Sequence, residues 1–189
     1  MPGSVLNANL PKRILKLANS DFKKIAVPLV IVLVVILIDQ LTKFWALETL
    51  DNNNSIEVIG RFFMFTLVYN EGGALGTNFG PSTYYLIISI FILFFVFYYI
   101  FINRHLSQIA YPLSFIAGGA IGNIIDRIRI GKVIDFIDVD FFDINLFDYT
   151  LERWWTFNIA DSAISCSIVF LLIYMVFVYP KNESKTIPK

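Results

Sequence analysis

Cysteine and histidine each occur once in the 189 residues, and charge of either sign is scarce. A single Cys excludes an internal disulfide, and a single His excludes a His-rich metal site. Lys and Arg number 15 and Asp and Glu number 15, so the formal net charge is +0 and no basic surplus remains to meet nucleic-acid phosphates. Charged residues make up 16% of the chain, 57% of it is hydrophobic and the mean hydropathy is +0.67. Soluble domains run at roughly 25% charged and 45–50% apolar. Disorder and a disulfide scaffold are thereby excluded, and a membrane protein is what remains. The length suits one compact bundle.

Four runs have the length and apolarity to cross hydrocarbon, where a helix of about 20 residues satisfies its own backbone. They lie at about 25–47, 84–102, 109–125 and 163–179. Residues 1–24 are then a tail, 25–180 a single membrane domain and 181–189 a second tail. Lys12, Arg13, Lys16, Lys23 and Lys24 precede the first run as they would in a secretory signal, but no small-residue cleavage site follows it. The run continues into Asp39-Gln40-Leu41-Thr42-Lys43-Phe44-Trp45, as in a retained anchor.

Both tails and the turn holding Arg104 carry most of the flanking cations, whereas the connections at about 48–82 and 126–158 are acidic. Cations favour the cytoplasmic side, so both termini are expected there and the acidic connections outside. Within those connections, Ile56–Tyr69 and Val133–Phe147 are rich in β-branched and aromatic residues, which predicts short strands. Trp154 and Trp155 sit where interfacial aromatics are favoured. The expected fold is an α-helical integral membrane protein with four transmembrane helices and short strands on its outer face.

An ionisable residue inside a span is costly and marks a candidate site. Asp39 and Lys43 stand four apart in the first run, so they stack on one helix face and can pair, either as a structural ion pair or as a support for a site. The third run ends Gly118-Gly119-Ala120-Ile121-Gly122-Asn123-Ile124-Ile125-Asp126-Arg127. Its small residues allow close helix approach, while Asn123, Asp126 and Arg127 either cap the helix or hold a ligand. Asp135 lies in Val133-Ile134-Asp135-Phe136-Ile137, and Asp161 in Phe157-Asn158-Ile159-Ala160-Asp161-Ser162 at the opening of the fourth run. Two carboxylates near a low-dielectric boundary do not both ionise easily and can share a proton, the arrangement by which aspartic proteases activate water. The plainer alternative makes Asp161 an N-cap and Asp135 a loop acid. Ala163-Ile164-Ser165-Cys166 has the look of a lipobox but falls inside the fourth run, so Cys166 is expected as a small buried apolar residue.

These blocks together resemble the lipoprotein signal peptidases, or signal peptidase II, of bacterial inner membranes. The resemblance covers roughly residues 30–175. It rests on Asp39-Gln40-Leu41-Thr42-Lys43, Tyr69-Asn70-Glu71-Gly72-Gly73-Ala74, the Gly118–Arg127 stretch, Val133–Ile137 and Phe157–Ser162, in the family's order. Two departures stand in the second block, which commonly reads Arg-Asn-x-Gly-Ala-Ala: Tyr69 takes the Arg place and Gly73 the first Ala place.

The resemblance implies a small extracytoplasmic β-sheet cradle over the four helices, and an aspartyl endopeptidase working without metal or cofactor. It places the catalytic pair on Asp135 and Asp161. The supporting or substrate-binding positions fall on Asp39, Lys43, Asn70, Asn123, Asp126, Arg127 and Asn158. Implied partners are prolipoproteins bearing diacylglycerol on their lipobox Cys and cut just before it, membrane lipid, and globomycin-type cyclic peptides as inhibitors. Two other classes fit a small polar-studded bundle. An ion-coupled carrier predicts mid-membrane acids and paired broken halves, and neither is visible here. A non-catalytic assembly subunit predicts that Asp135 and Asp161 can be replaced freely.

Overall fold

The computed structural model describes residues 10–50, 55–73, 80–140, 144–146, 149–151 and 155–178. The remaining residues, among them 1–9 and 181–189 of the two tails, Ala74 and Trp154, lie outside the described part. In chain order the elements are α1 (Leu10–Thr49), β1 (Ile56–Ile59), β2 (Phe63–Asn70), α2 (Ser82–Ile102), α3 (Ser107–Ile130), β3 (Val133–Val139), β4 (Ile144–Leu146), β5 (Tyr149–Leu151) and α4 (Ile159–Ile173). A π-helical turn, Tyr174–Val178, prolongs α4. Among the described residues, four helical segments are long and apolar enough to span a membrane: Phe22–Thr49, Ser82–Ile102, Ser107–Ile130 and Ile159–Val178.

The helix α3 is the hub on which α1, α2 and α4 all pack. Its sequence explains why. Ala110, Ala117, Gly118, Gly119 and Gly122 are buried and present almost no side chain to their neighbours. A Cβ on Gly118 would lie 2.7 Å from the Val35 Cβ, and one on Gly119 would lie 2.5 Å from the Ala160 carbonyl oxygen. Only glycine lets α1 and α4 come this close. By contrast α2 and α4 are apolar around most of their surface, as lipid-facing helices are. Phe91, Phe94, Leu172 and Ile173 are all more than half exposed.

The sequence also sets the helix ends that matter. At the C-terminus of α3, Gly131 takes the left-handed conformation (φ 73°) and donates its N–H to the Arg127 carbonyl. At the N-terminus of α4, Asn158 and Asp161 form a reciprocal capping box. The N-cap is therefore Asn158, and Asp161 is the third helical residue; this corrects the alternative that made Asp161 the cap. Cys166 is exposed on α4 and not buried as expected, because it points out of the bundle.

The expected strands form. β1, β2 and β3 make an antiparallel sheet in that order, and β4 pairs with β5 in a separate hairpin. The β2–β3 register sets Val68 opposite Asp135 and Asn70 opposite Val133. The sheet caps the end of the bundle at which α1 and α3 finish and α2 and α4 begin. Ala46 of α1 and Leu50 just after it pack there against Phe136, with Phe65 and Ile137 alongside. Trp45 meets Phe65 edge-on at 5.1 Å. The sheet thus covers polar residues on the last turns of α1 and α3, and these would otherwise face the membrane interface.

Candidate active site

Beneath the sheet, Lys43 is 1% exposed and sits between two carboxylates. Its Nζ lies 2.9 Å from Asp39 Oδ2, one turn earlier on α1, and 2.7 Å from Asp126 Oδ2 on α3. The i,i+4 pair read from spacing therefore exists and has a third member. Lys43 also donates to Asn123 Oδ1 at 2.9 Å. Both carboxylates accept main-chain donors as well. The Ala160 N–H in the first turn of α4 binds Asp39 Oδ1 at 3.0 Å, and the Ile134 N–H binds Asp126 Oδ2 at 3.2 Å. This charge cluster consequently ties α1, α3, α4 and β3 together.

Gln40 completes the cluster and was given no role from sequence. Its amide donates to Asp39 Oδ2 at 3.1 Å, to Asp126 Oδ1 at 3.2 Å and to the Gly122 carbonyl at 3.2 Å. An uncharged polar residue inside an apolar run, next to Asp39, was the available signal. Gly122 was likewise readable only as a packing residue. A Cβ there would overlap the Asp39 carboxylate.

Asp135 and Asp161 face the same small polar space. Asn158, wholly buried, joins them: its Nδ2 donates to Asp135 Oδ1 at 2.7 Å and its backbone N–H to Asp161 Oδ2 at 3.2 Å. Asn70 Nδ2 donates to the other Asp135 oxygen at 3.0 Å, and Asn123 Nδ2 to Asp161 Oδ1 at 2.8 Å. The amides of Asn70 and Asn123 thus hold carboxylates. Burial first, then the neighbouring negative charge of Asp161, pushes Asp135 up from the usual 3.8 to about 7.

Arg127 does not pair with Asp126, whose oxygens are taken by Lys43, Gln40 and Ile134. It reaches across to the turn after β2 instead, donating from Nη2 to the Gly72 carbonyl at 2.9 Å, with its guanidinium 5.9 Å from the Tyr85 ring centre. Gly72 in turn donates its N–H to Asn70 Oδ1 at 2.9 Å. Arg127 therefore steadies the turn that aims Asn70 at Asp135. On the outer edge of that turn, Lys132 lies 2.7 Å from Glu71 and holds its carboxyl below the usual range.

All nine residues singled out from sequence converge here, from α1, β2, α3, β3 and the start of α4. Among the described residues no three of His, Cys, Asp and Glu are set to hold a metal ion. The arrangement provides two adjacent carboxylates, one of them buried and poised near neutrality, both oriented by amides. Such a pair can take a proton from one oxygen and give one to another.

A family model described as signal peptidase (SPase) II matches residues 31–177, which contain all the blocks above. The lipoprotein signal peptidase of Halothermothrix orenii is 34% identical over 146 residues, covering 77% of this chain and 92% of its own length. That of Pelodictyon phaeoclathratiforme is 39% identical over 155 residues, covering 81% and 92%. A solved bacterial membrane enzyme, determined in meso at 2.3 Å, aligns with a TM-score of 0.70 and 33% identity over 87% of this chain and 94% of that one. A family match across most of the chain, near-complete coverage of the relatives and a shared fold leave one conclusion: the chain belongs to the signal peptidase II family.

Proposed function

We propose that this multi-pass membrane protease removes signal peptides from prolipoproteins as an aspartyl enzyme, with Asp135 and Asp161 as its catalytic pair. The supporting observation is the Asn158 bridge, one residue donating to both carboxylates at 2.7 and 3.2 Å, at a place where Asp135 is raised to about 7. Burial and mutual repulsion disfavour two charges, so the pair can share one proton. The ionised carboxylate takes a proton from water as the oxygen attacks the scissile carbonyl, and the neutral one donates its proton to the carbonyl oxygen. The resulting diol collapses, the C–N bond breaks, and the departing amine takes up a proton from the pair.

In this reading Asn70, Asn123 and Asn158 orient the pair, Asp39, Lys43 and Asp126 brace it, and Arg127 positions the Asn70 turn. Residues 25–180 act as one unit. The substrate carries diacylglycerol on the Cys that follows the cut, which keeps the scissile bond near the bilayer surface, where the sheet-capped end provides the site. The distribution of Lys and Arg supports a topology with both termini in the cytoplasm and the site at the outer face, and the family resemblance implies a bacterial inner membrane. Family membership gives no support to the carrier and assembly-subunit readings.

The test is a gel-shift cleavage assay on a diacylglyceryl-modified prolipoprotein, comparing wild type, Asp135→Asn and Asp161→Asn, with and without EDTA. Wild type is expected to cut with or without the chelator, neither variant should cut, and a globomycin-type cyclic peptide should inhibit. Cleavage near the wild-type rate by either folded variant overturns the pair.

A further inference from the structure

The sheet continues outward past the helices that it covers. β2 and β3 are seated on α1 and α3, whereas β1 is packed on β2. Residues opposite each other across an antiparallel ladder share a face. The register sets Ile56 opposite Phe65 and Ile59 opposite Phe63, so these four side chains lie on one side. Phe65 shows which side it is, because its ring meets Trp45 of α1 at 5.1 Å. Ile56, Ile59 and Phe63 therefore prolong the underside of the sheet beyond the bundle. Ile56 and Ile59 are 42% and 60% exposed.

The two faces of this overhang differ in chemistry. The underside positions are two isoleucines and two phenylalanines, none of them charged. On the other face Glu57 stands opposite Met64, and Met64 opposite Asp138. Thr66 Oγ1, on that same face, lies 2.9 Å from Asp138 Oδ2 and 2.8 Å from Ser55 Oγ. The strand pair is thus amphipathic, with its polar side turned away from the helices.

The apolar side is continuous with a surface that faces lipid. Leu37, Leu41 and Trp45 follow at four-residue steps along α1, and all three are exposed. From Trp45 the row passes to Phe65 and then, ring to ring at 5.1 Å, to Phe63. The span Phe22–Thr49 has 28 residues. At a rise of 1.5 Å each it is about 42 Å long, so it outruns a hydrocarbon core of about 30 Å. Trp45, in the turn before its end, falls at the boundary where interfacial aromatics are favoured.

We propose that the underside of the overhang rests on the leaflet at the sheet-capped end, the outer one under the topology above, with Ile56, Ile59 and Phe63 inserted where headgroups meet acyl chains. Amphipathic elements at a membrane surface lie in this layer with the apolar side about 5–10 Å deep. Lipid is the occupant because the row is uncharged and runs without a break into the membrane-facing side of α1. Phe63 precedes Asn70 by seven residues, about 23 Å along β2, so the contact lies away from the carboxylate pair. It holds the sheet that carries Asn70 and Asp135 at a set height over the hydrocarbon. The proposal rests on the membrane fold and not on the protease reading.

The experiment is nitroxide accessibility in the full chain, reconstituted into vesicles of phosphatidylethanolamine and phosphatidylglycerol. Cys166 is the sole cysteine. A Cys166→Ser background therefore lets Ile56→Cys, Ile59→Cys, Glu57→Cys and, as a lipid-facing reference, Leu41→Cys each carry one label. Oxygen concentrates in the bilayer and a nickel chelate in water. Labels at positions 56 and 59 should collide with oxygen more than with nickel, as at position 41, and the label at position 57 should show the reverse. Either underside position gives the reading if the other variant fails to fold. A nickel excess on the underside overturns the proposal. So does shielding from both reagents there, which would mean that protein, a second copy included, covers the face. An oxygen excess at position 57 also overturns it, since the strand would then lie in lipid on both sides.

Discussion

Replacing Lys43 by Met tests the charge cluster most directly, because the side chains are close in length and the change removes little except the ammonium. In the native site that ammonium lies 2.9 Å from Asp39, 2.7 Å from Asp126 and 2.9 Å from Asn123 Oδ1. Asp39 and Asp126 are 0% and 1% exposed. Without Lys43 they would face each other with only Gln40 and two main-chain N–H groups as donors. Removing one partner of a buried ion pair costs about 3–5 kcal/mol, most of it from the charge left behind. Lys43→Met should therefore lose about that much unfolding free energy, measured by denaturant titration in mixed micelles. It should lose cleavage as well, since Asp39 holds the Ala160 N–H and with it the first turn of α4 that carries Asp161. Adding Asp126→Asn removes one orphaned charge and should restore part of the stability. A Lys43→Met protein within about 1 kcal/mol of wild type would refute the reasoning, as would an Asp126→Asn change that only adds its own cost.

Three further outcomes follow from the same geometry. Asp135→Asn should abolish cleavage yet stabilise the protein at pH 8. The folded state holds the Asp135 proton up to about pH 7 and the unfolded chain only to about 3.8, so stability from this group is highest below pH 4 and falls as pH rises to 7. The difference amounts to roughly 4 kcal/mol at most, and unfolding of wild type and variant at pH 5 and pH 8 measures it; a variant less stable than wild type at pH 8 would contradict the cause assigned to the shift. Asn158→Ser keeps a capping side chain while losing the bridge to Asp135, so melting should change little while kcat falls at least tenfold; Asn158→Ala should lose about 1 kcal/mol in addition. Gly122→Ala places a methyl against the Asp39 carboxylate, and overpacking of this kind costs about 1–3 kcal/mol, readable as a lower melting temperature with reduced cleavage.

The four spans were legible because hydrophobic length is a local property, and the strands because β-branched and aromatic runs stand out between them. The Asp39–Lys43 pair was legible for the same reason, since four residues on a helix are one turn. Asp126 as the third partner was not, because its contact with Lys43 joins residues 83 apart in sequence through a helix crossing. The Gly118–Arg127 stretch allowed two readings, close packing or a polar site, and the structure shows that it serves both. Gly119 admits the backbone of α4, Gly122 admits the Asp39 carboxylate, and the polar residues that follow lie in the space so created. Asp126 and Arg127 looked like residues emerging from the membrane because hydropathy registers lipid burial and not burial under a sheet. The structure keeps them helical as far as Ile130, and β3 covers Asp126. Cys166 failed in the opposite direction: position in a span does not say which face is turned to lipid.

The least legible feature is what gives the site its electrostatic sense. An asparagine amide can present either oxygen or N–H to a neighbour, and composition cannot decide which. Here each of the three asparagines has its oxygen engaged by a group that can only donate. Lys43 Nζ binds Asn123 Oδ1, the Gly72 N–H binds Asn70 Oδ1, and the Asp161 N–H binds Asn158 Oδ1. Every Nδ2 is thereby turned toward a carboxylate: Asn123 toward Asp161, and Asn70 and Asn158 toward Asp135. The buried ammonium, the turn held by Arg127 and the capping box at α4 are separate devices in the sequence, yet each fixes an amide in the same sense. Donors already in place when a carboxylate ionises need no reorganisation at the moment of reaction. In the proposed mechanism they let one member of a buried acid pair carry its charge while desolvation keeps the other protonated, the asymmetry that the attack of water on a peptide carbonyl requires.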